Sequence, residues 1–385
     1  MDLLFFTDVK FIKSNNNYYA LNLNNTLWPR YLELFDNIQV YSRVVELDKY
    51  DGLTIANSNN VCIQQISSYS KITDLIFNRK KIFDEVSSKL KNKPNSKIII
   101  RLPSSIGLVA CDICEKNKID YLIEMVACPF DAYYNHSSVL GKLIAPMMMM
   151  LNRRAIKKSN NVLYVTDKFL QKRYPNNKNN IGCSDVVLPS IIENMFDDKN
   201  IKYKEFKTIL NLGTVGNVEL KYKGQIYVLK ALRKLNKINK KYHYYMIGGG
   251  NKTRLLNYVK KYKMERDVTF IDNIPHEQVL KELMNIDIYI QPSLQEGMPR
   301  ALIEAMSVGC VCVGSNAGGI PELLSDKYIF KKRKYMHLVK IIKMLETASL
   351  KEISIENHHR ATDFNRDKLD EKRRRFYMNF KNNMR

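Results

Sequence analysis

The sequence predicts an α/β protein in which parallel β-strands alternate with helices. Five short β-branched or aromatic runs alternate with four helical patterns in the second half of the chain, and this alternation is typical of βαβ units in a doubly wound sheet. The runs are apolar along most of their length, as strands buried on both faces are. With 385 residues, the chain is too long for one ordinary hydrophobic core, so two domains are expected.

The predicted elements of the second half follow one another in regular order. The strands are 208–214, 242–248, 268–272, 286–292 and 310–314, and the helices are 223–238, 251–264, 276–285 and 300–308. The first half is less regular but similar in kind. Its strands are 38–47, 97–102, 121–127, 162–166 and 185–189, and its helices are 72–92, 104–117, 138–158 and 167–174.

A polar, unpatterned stretch at 189–207 separates the two halves and predicts a domain boundary. We expect an N-terminal domain over 1–190 and a C-terminal domain over 191–365. Residues 366–385 predict one further helix with a large basic face. Its apolar contact face consists of Phe376, Tyr377 and Phe380.

The formal charge of +23 raises the question of a nucleic-acid partner. Lysines and asparagines are abundant along the whole chain, with no arginine-rich arm and no aromatic RNA-binding signature, so no nucleic-acid partner is predicted. A diffuse excess of this kind can also reflect genome composition. As a functional feature it favours an anionic membrane surface or a phosphorylated substrate, because a positive field concentrates either one.

Composition also indicates the compartment. No apolar run approaches the roughly 20 residues that cross a bilayer, and the N-terminus lacks the basic region and cleavage site of a signal peptide. A cytoplasmic protein is therefore expected. The seven cysteines are scattered, and Cys111 and Cys114 have no second pair to complete a zinc site, so the thiols are predicted to be reduced and structural.

The segment 137–159 joins a methionine-rich apolar stretch to a basic end. One interpretation is a helix that lies against an anionic bilayer at the inner face of the membrane, which would suit a lipid-linked acceptor. The other is a packed core helix whose basic end is solvated. The sequence leaves both interpretations open.

Two glutamates, Glu296 and Glu304, flank the start of the predicted helix 300–308. Ligands of open parallel sheets bind beyond the carboxyl ends of the strands. Pro299 suits the first helical position, and a helix N-terminus favours phosphate. One carboxylate before this end and one about 8 Å inside the helix suit a ligand with hydroxyls on both sides of a diphosphate. A nucleotide sugar has this shape.

These glutamates belong to a longer pattern. The stretch "EGMPRALIE" carries an E-x7-E motif, and "KYKGQIYVLKAL", "YYMIGGGN", "VTFIDNIPHEQV" and "GSNAGGIPELL" accompany it. In this combination the second half resembles the retaining GT-B glycosyltransferases of family 4, glycosyl transferases group 1. The first half is similar to bacterial polysaccharide-assembly members through "RLPSSIG" and "VLYVTDKFLQKRYP". The resemblance implies two Rossmann-like domains whose parallel sheets face a central cleft, and a last helix that crosses back to the first domain.

The resemblance also implies roles for particular residues. Glu296 would hold hydroxyls of the donor sugar, Glu304 would bind the ribose hydroxyls, and Lys223 would stabilise the charge that develops on the diphosphate. Glu296 and Lys223 are therefore predicted to be catalytic. Further predicted donor-binding positions are Gly297, Met298, Pro299, Arg300, Leu302, Gly213, Gly216, Asn273 and Ile274. Asp131 and His136 are the candidates for contact with the acceptor or the sugar.

Several positions depart from the pattern of the family. Asn217 and Val218 stand where many relatives have an arginine, which leaves Lys221 or Arg300 as the second cation for the diphosphate. The stretch "FIKSNNNYY" at 11–19 stands where relatives often have a glycine-rich loop. No Asp-x-Asp occurs, so transfer without a metal or other cofactor is predicted.

The expected function is transfer of a sugar, with retention, from a UDP- or GDP-linked donor to a saccharide or lipid-linked acceptor in cell-surface polysaccharide assembly. Two alternatives remain. One is a sugar phosphorylase-type enzyme on the same fold, and the other is a non-catalytic basic protein that binds polyanions or membranes.

Overall fold

The computed structural model describes residues 1–20, 23–47, 52–66, 79–135, 138–188, 195–199, 209–237 and 241–383. The chain forms two compact units. The first unit comprises Met1–Cys183 together with Asp370–Arg385, and the second comprises Ser184–Leu369.

The first unit contains a nine-stranded sheet and its flanking helices. Its strands are β1 (Leu3–Ser14), β2 (Asn17–Ala20), β3 (Ile38–Glu46), β4 (Thr54–Ile55), β5 (Val61–Gln65), β6 (Lys97–Leu102), β7 (Leu122–Met125), β8 (Asn161–Tyr164) and β9 (Asn179–Gly182). Its helices before the second unit are α1 (Pro29–Leu32), α2 (Arg79–Lys91), α3 (Ser105–Lys116), α4 (Pro129–Tyr134), α5 (Val139–Lys158) and α6 (Phe169–Arg173).

Seven strands of this sheet are parallel and lie in the order β5-β3-β1-β6-β7-β8-β9. This is the doubly wound order, with the chain reversing direction across the sheet between β1 and β6. Ile98, Ile100 and Ile123 are buried and belong to one cluster with apolar side chains of α3. Cys111 and Cys114 of α3 are free thiols in that cluster, and burial raises the pKa of Cys114 to about 12.

The end of β1 departs from a simple strand. Its register against β3 shifts between Phe6 and Lys10, which is the signature of a bulge. Beyond the bulge, β1 pairs with β2 in an antiparallel hairpin whose turn contains Asn15 at φ 52°. The stretch 11–19, which stands where relatives often have a glycine-rich loop, is therefore a hairpin in this chain.

The bulge brings the Asp8 carboxylate to the start of α3. It accepts hydrogen bonds from the Ser105 N–H at 2.6 Å, the Ser104 hydroxyl at 2.8 Å and the Ile106 N–H at 3.1 Å. A carboxylate at this place satisfies first-turn N–H groups and compensates the partial positive charge of the helix end. Asp8, which lies on β1, thus caps the N-terminus of α3.

The second unit contains a six-stranded sheet that is parallel throughout. Its strands are β10 (Leu210–Val215), β11 (Tyr242–Ile247), β12 (Val268–Ile271), β13 (Ile288–Gln291), β14 (Val311–Ser315) and β15 (Ile329–Phe330). Its helices are α7 (Gln225–Leu235), α8 (Thr253–Lys261), α9 (His276–Leu283), α10 (Arg300–Ser307), α11 (Ile320–Leu323), α12 (Tyr335–Leu345) and α13 (Leu350–Ala361). The strand order β12-β11-β10-β13-β14-β15 repeats the doubly wound order, with its reversal between β10 and β13.

Most predicted elements are present, and the differences have local causes. The predicted strand 185–189 is wrong, because 185–188 form an irregular segment. The predicted helix at 223–238 begins at Gln225, since Lys221–Lys223 form a short 3₁₀ turn that ends at Gly224. Positions 72–78 of the predicted helix 72–92 lie outside the described residues. Among the helices in the described ranges, none combines the length and the apolarity that crossing a bilayer demands.

The last helix, α14 (Arg366–Asn382), carries the residues that bury the C-terminal segment in the first unit. Phe376, Tyr377 and Phe380 are all buried. The Tyr377 hydroxyl donates a hydrogen bond at 2.6 Å to the buried carboxylate of Glu124 on β7.

Glu124 is satisfied by three donors. Its Oε1 atom accepts hydrogen bonds from the hydroxyls of Tyr377 and Tyr31, and its Oε2 atom accepts one at 2.7 Å from Arg101. A buried carboxylate is tolerated only when it is paired and hydrogen-bonded in this way. Burial, with the Glu124 charge adding to it, holds the pKa of Tyr377 well above its usual range, so the phenol remains a donor.

Replacing Tyr377 by phenylalanine removes one of these donors without removing the ring. We expect the free energy of unfolding to fall by about 2 kcal/mol, because hydrogen bonds to charged groups contribute roughly 1.5–3 kcal/mol. Urea unfolding of Tyr377→Phe against the wild type measures this loss. Tyr134→Phe, at an exposed tyrosine, is the matched control and should change stability by less than about 0.5 kcal/mol. Equal effects of the two substitutions would contradict the role of the Tyr377 hydroxyl.

Candidate functional site

The loop between β13 and α10 holds the first of the two glutamates in a defined orientation. Glu296 Oε1 accepts hydrogen bonds from Ser293 Oγ at 2.7 Å, Lys223 Nζ at 2.8 Å and Gln291 Nε2 at 3.1 Å. Within the part of the chain that the structure describes, its Oε2 atom has no hydrogen-bond partner. One oxygen is therefore fully occupied, and the other is available to a ligand.

Lys223 reaches Glu296 because of the turn that precedes α7. Gly224 follows Lys223 with φ 78°, a conformation that favours glycine, and a Cβ atom there would lie 2.0 Å from the carbonyl oxygen of Pro292. Only glycine lets this turn approach the end of β13 so closely. Burial by itself would lower the pKa of Lys223, but the adjacent Glu296 carboxylate outweighs it and raises the pKa, so the side chain is a cation.

Further contacts fix the backbone of the loop. Leu294 N–H donates to the carbonyl oxygen of Tyr222 at 2.7 Å, and Gly319 N–H donates to that of Gly297 at 2.9 Å. Gly318 has φ 54°, and a Cβ atom there would lie 2.0 Å from the carbonyl oxygen of Glu296. Segments that follow β10 and β14 thus hold the loop from two sides, which preorganises the carboxylate.

A buried tyrosine supports the same carboxylate from the core. The Tyr289 hydroxyl donates to Gln291 Oε1 at 2.7 Å, and the amide of Gln291 donates in turn to Ser293 and Glu296. Burial raises the pKa of Tyr289 well above its usual range, and the charges of both Glu296 and Glu304 add to the shift. Both carboxylates therefore lie within electrostatic reach of one phenol.

Glu304 pairs with a histidine that the sequence did not single out. Glu304 lies on α10 with 4% of its surface exposed. Its Oε1 atom is 2.8 Å from Nε2 of His276, the first residue of α9. The hydrogen bond to Glu304 raises the pKa of His276, although burial opposes the shift. His276 stands in the quoted stretch "VTFIDNIPHEQV", but only the packing of α9 beside α10 reveals its partner.

The start of α10 is open to an anion. The first turn of this helix contains no acidic residue, and no side chain caps it. Pro299 is the N-cap rather than the first helical residue. Arg300 is exposed, and Gly297 and Met298 are partly exposed in the loop. The side chain of Leu302 is completely buried, so only its backbone N–H could contact a ligand.

The predicted glycines of the first strand have different positions. Gly213 lies inside β10 rather than at its turn, and a Cβ atom there would lie 2.7 Å from the side chain of Ile286. Close packing against Ile286 therefore explains this glycine, and its predicted contact with the donor stays a prediction. Gly216 does follow the strand, and a Cβ atom on it would lie 3.5 Å from the side chain of Lys223. Asn273 and Ile274 follow β12 and lie just before His276.

The acceptor candidates belong to the first unit. Asp131 is buried in the first turn of α4, and its Oδ2 atom accepts a hydrogen bond from Arg173 at 3.0 Å. Its carboxylate therefore already has a cationic partner. His136 lies outside the described residues. In the described ranges no group of three or more His, Cys, Asp or Glu side chains is arranged to hold a metal ion, and transfer without a metal stays a prediction.

The sequence is similar to one protein family and to several characterised proteins. A model of the family glycosyl transferases group 1 matches residues 194–361. The chain is 32% identical to Protein CapJ of Staphylococcus aureus, over 99% of this chain and 96% of that protein. It is 28% identical to the phosphatidylinositol N-acetylglucosaminyltransferase gpi3 subunit of Schizosaccharomyces pombe, over 36% of this chain and 30% of that protein. It is 34% identical to the amylovoran biosynthesis glycosyltransferase AmsK of Erwinia amylovora, over 26% of this chain and 27% of that protein.

Solved structures resemble the whole chain. The sucrose-phosphate synthase of Thermosynechococcus elongatus matches with a TM-score of 0.71 at 13% identity, over 99% of each chain. HepE of Anabaena, solved in complex with UDP-glucose, matches with a TM-score of 0.63 at 13% identity, over 98% of this chain and 100% of that chain. These likenesses confirm the predicted α/β fold with two Rossmann-like domains of the GT-B type.

The contact between His276 and Glu304 can be measured directly. Because the carboxylate favours the imidazolium, His276 should stay protonated to higher pH in the wild type than in Glu304→Gln. NMR titration of the histidine side chains tests this, and the resonances of the exposed His359 should coincide in the two proteins. A His276 titration that is the same in both proteins would exclude the pair in solution.

Proposed function

The chain belongs to the family glycosyl transferases group 1, retaining enzymes of the GT-B fold, and we propose that it transfers a sugar from a UDP- or GDP-linked donor to a saccharide or lipid-linked acceptor in cell-surface polysaccharide assembly. The observation that carries this proposal is the contact of Lys223 Nζ with Glu296 Oε1 at 2.8 Å, which leaves Glu296 Oε2 available to hydroxyls of the donor sugar.

The two residues would act on opposite sides of the bond that breaks. Glu296 would hold the sugar by its hydroxyls, and Lys223 would meet the diphosphate on the other side of the anomeric carbon. As the bond between that carbon and the diphosphate oxygen breaks, negative charge collects on the diphosphate, and a fixed cation stabilises it. The raised pKa of Lys223 keeps this cation charged throughout the neutral range.

The acceptor hydroxyl would attack the same face of the sugar from which the diphosphate leaves. The new bond joins the acceptor oxygen to the anomeric carbon, and the hydroxyl proton passes to an oxygen of the departing diphosphate. This sequence gives retention without a protein nucleophile. Ser293 and Gln291 are buried and donate hydrogen bonds to Glu296, so both serve to position this carboxylate.

The start of α10 and Glu304 would hold the remainder of the donor. The uncapped first turn offers backbone N–H groups to the diphosphate, and Arg300 is the nearest exposed cation on that helix. Glu304 would accept the ribose hydroxyls through the oxygen that His276 does not occupy. His276 would then be a positioning residue for the nucleoside end of the donor.

The acceptor is proposed from the relatives. The relative from Erwinia amylovora is described as an enzyme of amylovoran biosynthesis, and the gpi3 subunit is described as acting on phosphatidylinositol. These descriptions support a saccharide or lipid-linked acceptor. For a lipid-linked acceptor, the proposed place of work is the cytoplasm at the inner face of the membrane. UDP-glucose in the HepE structure supports a UDP-linked donor.

Glu296→Gln keeps the size of the side chain but removes its charge. The amide can no longer pair with Lys223 or accept hydrogen bonds as strongly, so kcat should fall by about 100-fold. Initial rates with a panel of UDP- and GDP-sugars, and with a sugar 1-phosphate, measure this loss and identify the donor. Glu265→Gln, at an exposed glutamate of the same unit, is the control. Product from the sugar 1-phosphate alone would favour the phosphorylase alternative.

Lys223→Met tests the stabilisation of the leaving group. Methionine fills a similar volume without charge, so kcat should fall by about 100-fold while the affinity for the free nucleoside changes little. Lys234→Met, at an exposed lysine of α7, should lower kcat far less. If both substitutions lower kcat equally, general electrostatic attraction rather than a placed cation assists the reaction.

A further inference from the structure

Helix α5 (Val139–Lys158) of the first unit has an apolar face toward the core and a second apolar face toward solvent. Its core face contains Gly141, Ala145, Met148, Asn152 and Ala155, which are all buried. On the opposite side of the helix, Val139, Leu143 and Met150 are exposed. A helix that only completes a core needs one apolar face, so the outer face requires another explanation.

The outer face is continuous. Its exposed side chains, with the exposed fraction of each residue, are Val139 at 74%, Leu140 at 46%, Leu143 at 72%, Met147 at 47% and Met150 at 70%. Val139, Leu143, Met147 and Met150 follow one another at spacings of four, four and three residues, which places them on one side of a helix. The stripe runs for about 16 Å along the axis, at 1.5 Å per residue. We call these five residues the outer stripe.

Cations surround the outer stripe. Lys142 lies beside its first half, and Arg153, Arg154 and Lys157 follow it in the last turns of the helix. The helix contains no acidic residue at all. Lys142, Arg154 and Lys157 form no ion pair with an acid in the described part of the chain. An apolar stripe bordered by unneutralised cations matches a surface that is apolar inside and anionic outside.

We propose that the outer stripe of α5 binds the surface of an anionic lipid bilayer, with the helix lying in the plane of the membrane. The five apolar side chains would enter the boundary between headgroups and acyl chains, and the four cations would contact anionic headgroups. The inference rests on the proposed function, because a lipid-linked acceptor is presented at such a surface. The membrane proposal adds the helix that would bring the enzyme to this surface.

Charge favours a bilayer over a second copy of this chain. A symmetric dimer through α5 would bring together two surfaces that each carry at least four cations, in a protein of formal charge +23. A bilayer containing anionic lipid supplies the opposite charge and an apolar interior at once. The proposed contact is with the membrane surface only. The helix does not cross the bilayer, because its opposite face is buried in the first unit.

Flotation with lipid vesicles tests this proposal without using the catalytic activity. The wild type should float with vesicles of phosphatidylcholine and phosphatidylglycerol, and should float much less with phosphatidylcholine alone or at high salt. Leu143→Glu and, separately, Met150→Glu should each lower the bound fraction at least about 10-fold, because a carboxylate replaces an inserted apolar side chain. Met344→Glu, at an exposed methionine of α12, is the matched control and should bind like the wild type.

The same proteins distinguish this proposal from the proposed function. Thermal stabilisation by a nucleotide sugar reports donor binding, and it should be the same in the wild type and in both α5 variants. Wild type that fails to float with anionic vesicles, or Leu143→Glu and Met150→Glu that float normally, would overturn the membrane proposal and leave the donor assignment intact. A wild-type dimer that Leu143→Glu dissociates, without any flotation, would show that a second copy occupies the stripe and would also overturn it.

Discussion

A cation and a carboxylate, Lys223 and Glu296, are held 2.8 Å apart by segments that lie 73 residues apart in the sequence. The position of each segment depends on close contact with other parts of the sheet edge. Gly224 lets the turn before α7 approach the end of β13, and Gly318 lets the turn after β14 approach the loop of Glu296. The pair therefore depends on three parallel strands that end at one edge of the sheet. Removing either charge would leave the other in a partly desolvated place without its partner.

Much of this arrangement follows from the sequence, for physical reasons. Strands buried on both faces have long apolar runs, so β11, β13 and β14 were predicted to within two residues at each end. The motif spacing placed Glu296 and Glu304 around the start of α10. Contacts between distant segments were not predictable. His276 gains its meaning only beside Glu304, and Gly213 is explained by the side chain of Ile286 rather than by a turn. Strand β1 and its hairpin with β2 were not among the predicted strands.

The first unit is built from both ends of the chain. Its sheet comes from Met1–Cys183, and Asp370–Arg385 completes its core. Glu124 has its full set of donors only when Tyr377 is in place beside Tyr31 and Arg101. A buried carboxylate with a missing donor is unfavourable, so the segment Asp370–Arg385 is required for a complete first unit.

Because of Asp8, the two sheets differ at the helix that begins beside the reversal of strand order: one helix start is capped by a carboxylate and the other is not. Each doubly wound sheet has one place where the strand order reverses, between β1 and β6 in the first unit and between β10 and β13 in the second. In the first unit, Asp8 already occupies the N–H groups of Ser105 and Ile106 at the helix that follows β6. The first turn of α10, the corresponding helix after β13, contains no acidic residue and no side chain that caps it. The first unit thus neutralises its helix start with a carboxylate of the chain itself, whereas the second unit leaves the N–H groups of α10 to an anion from solution. The two sheets share a strand order but differ in the ligands that their crevices can bind.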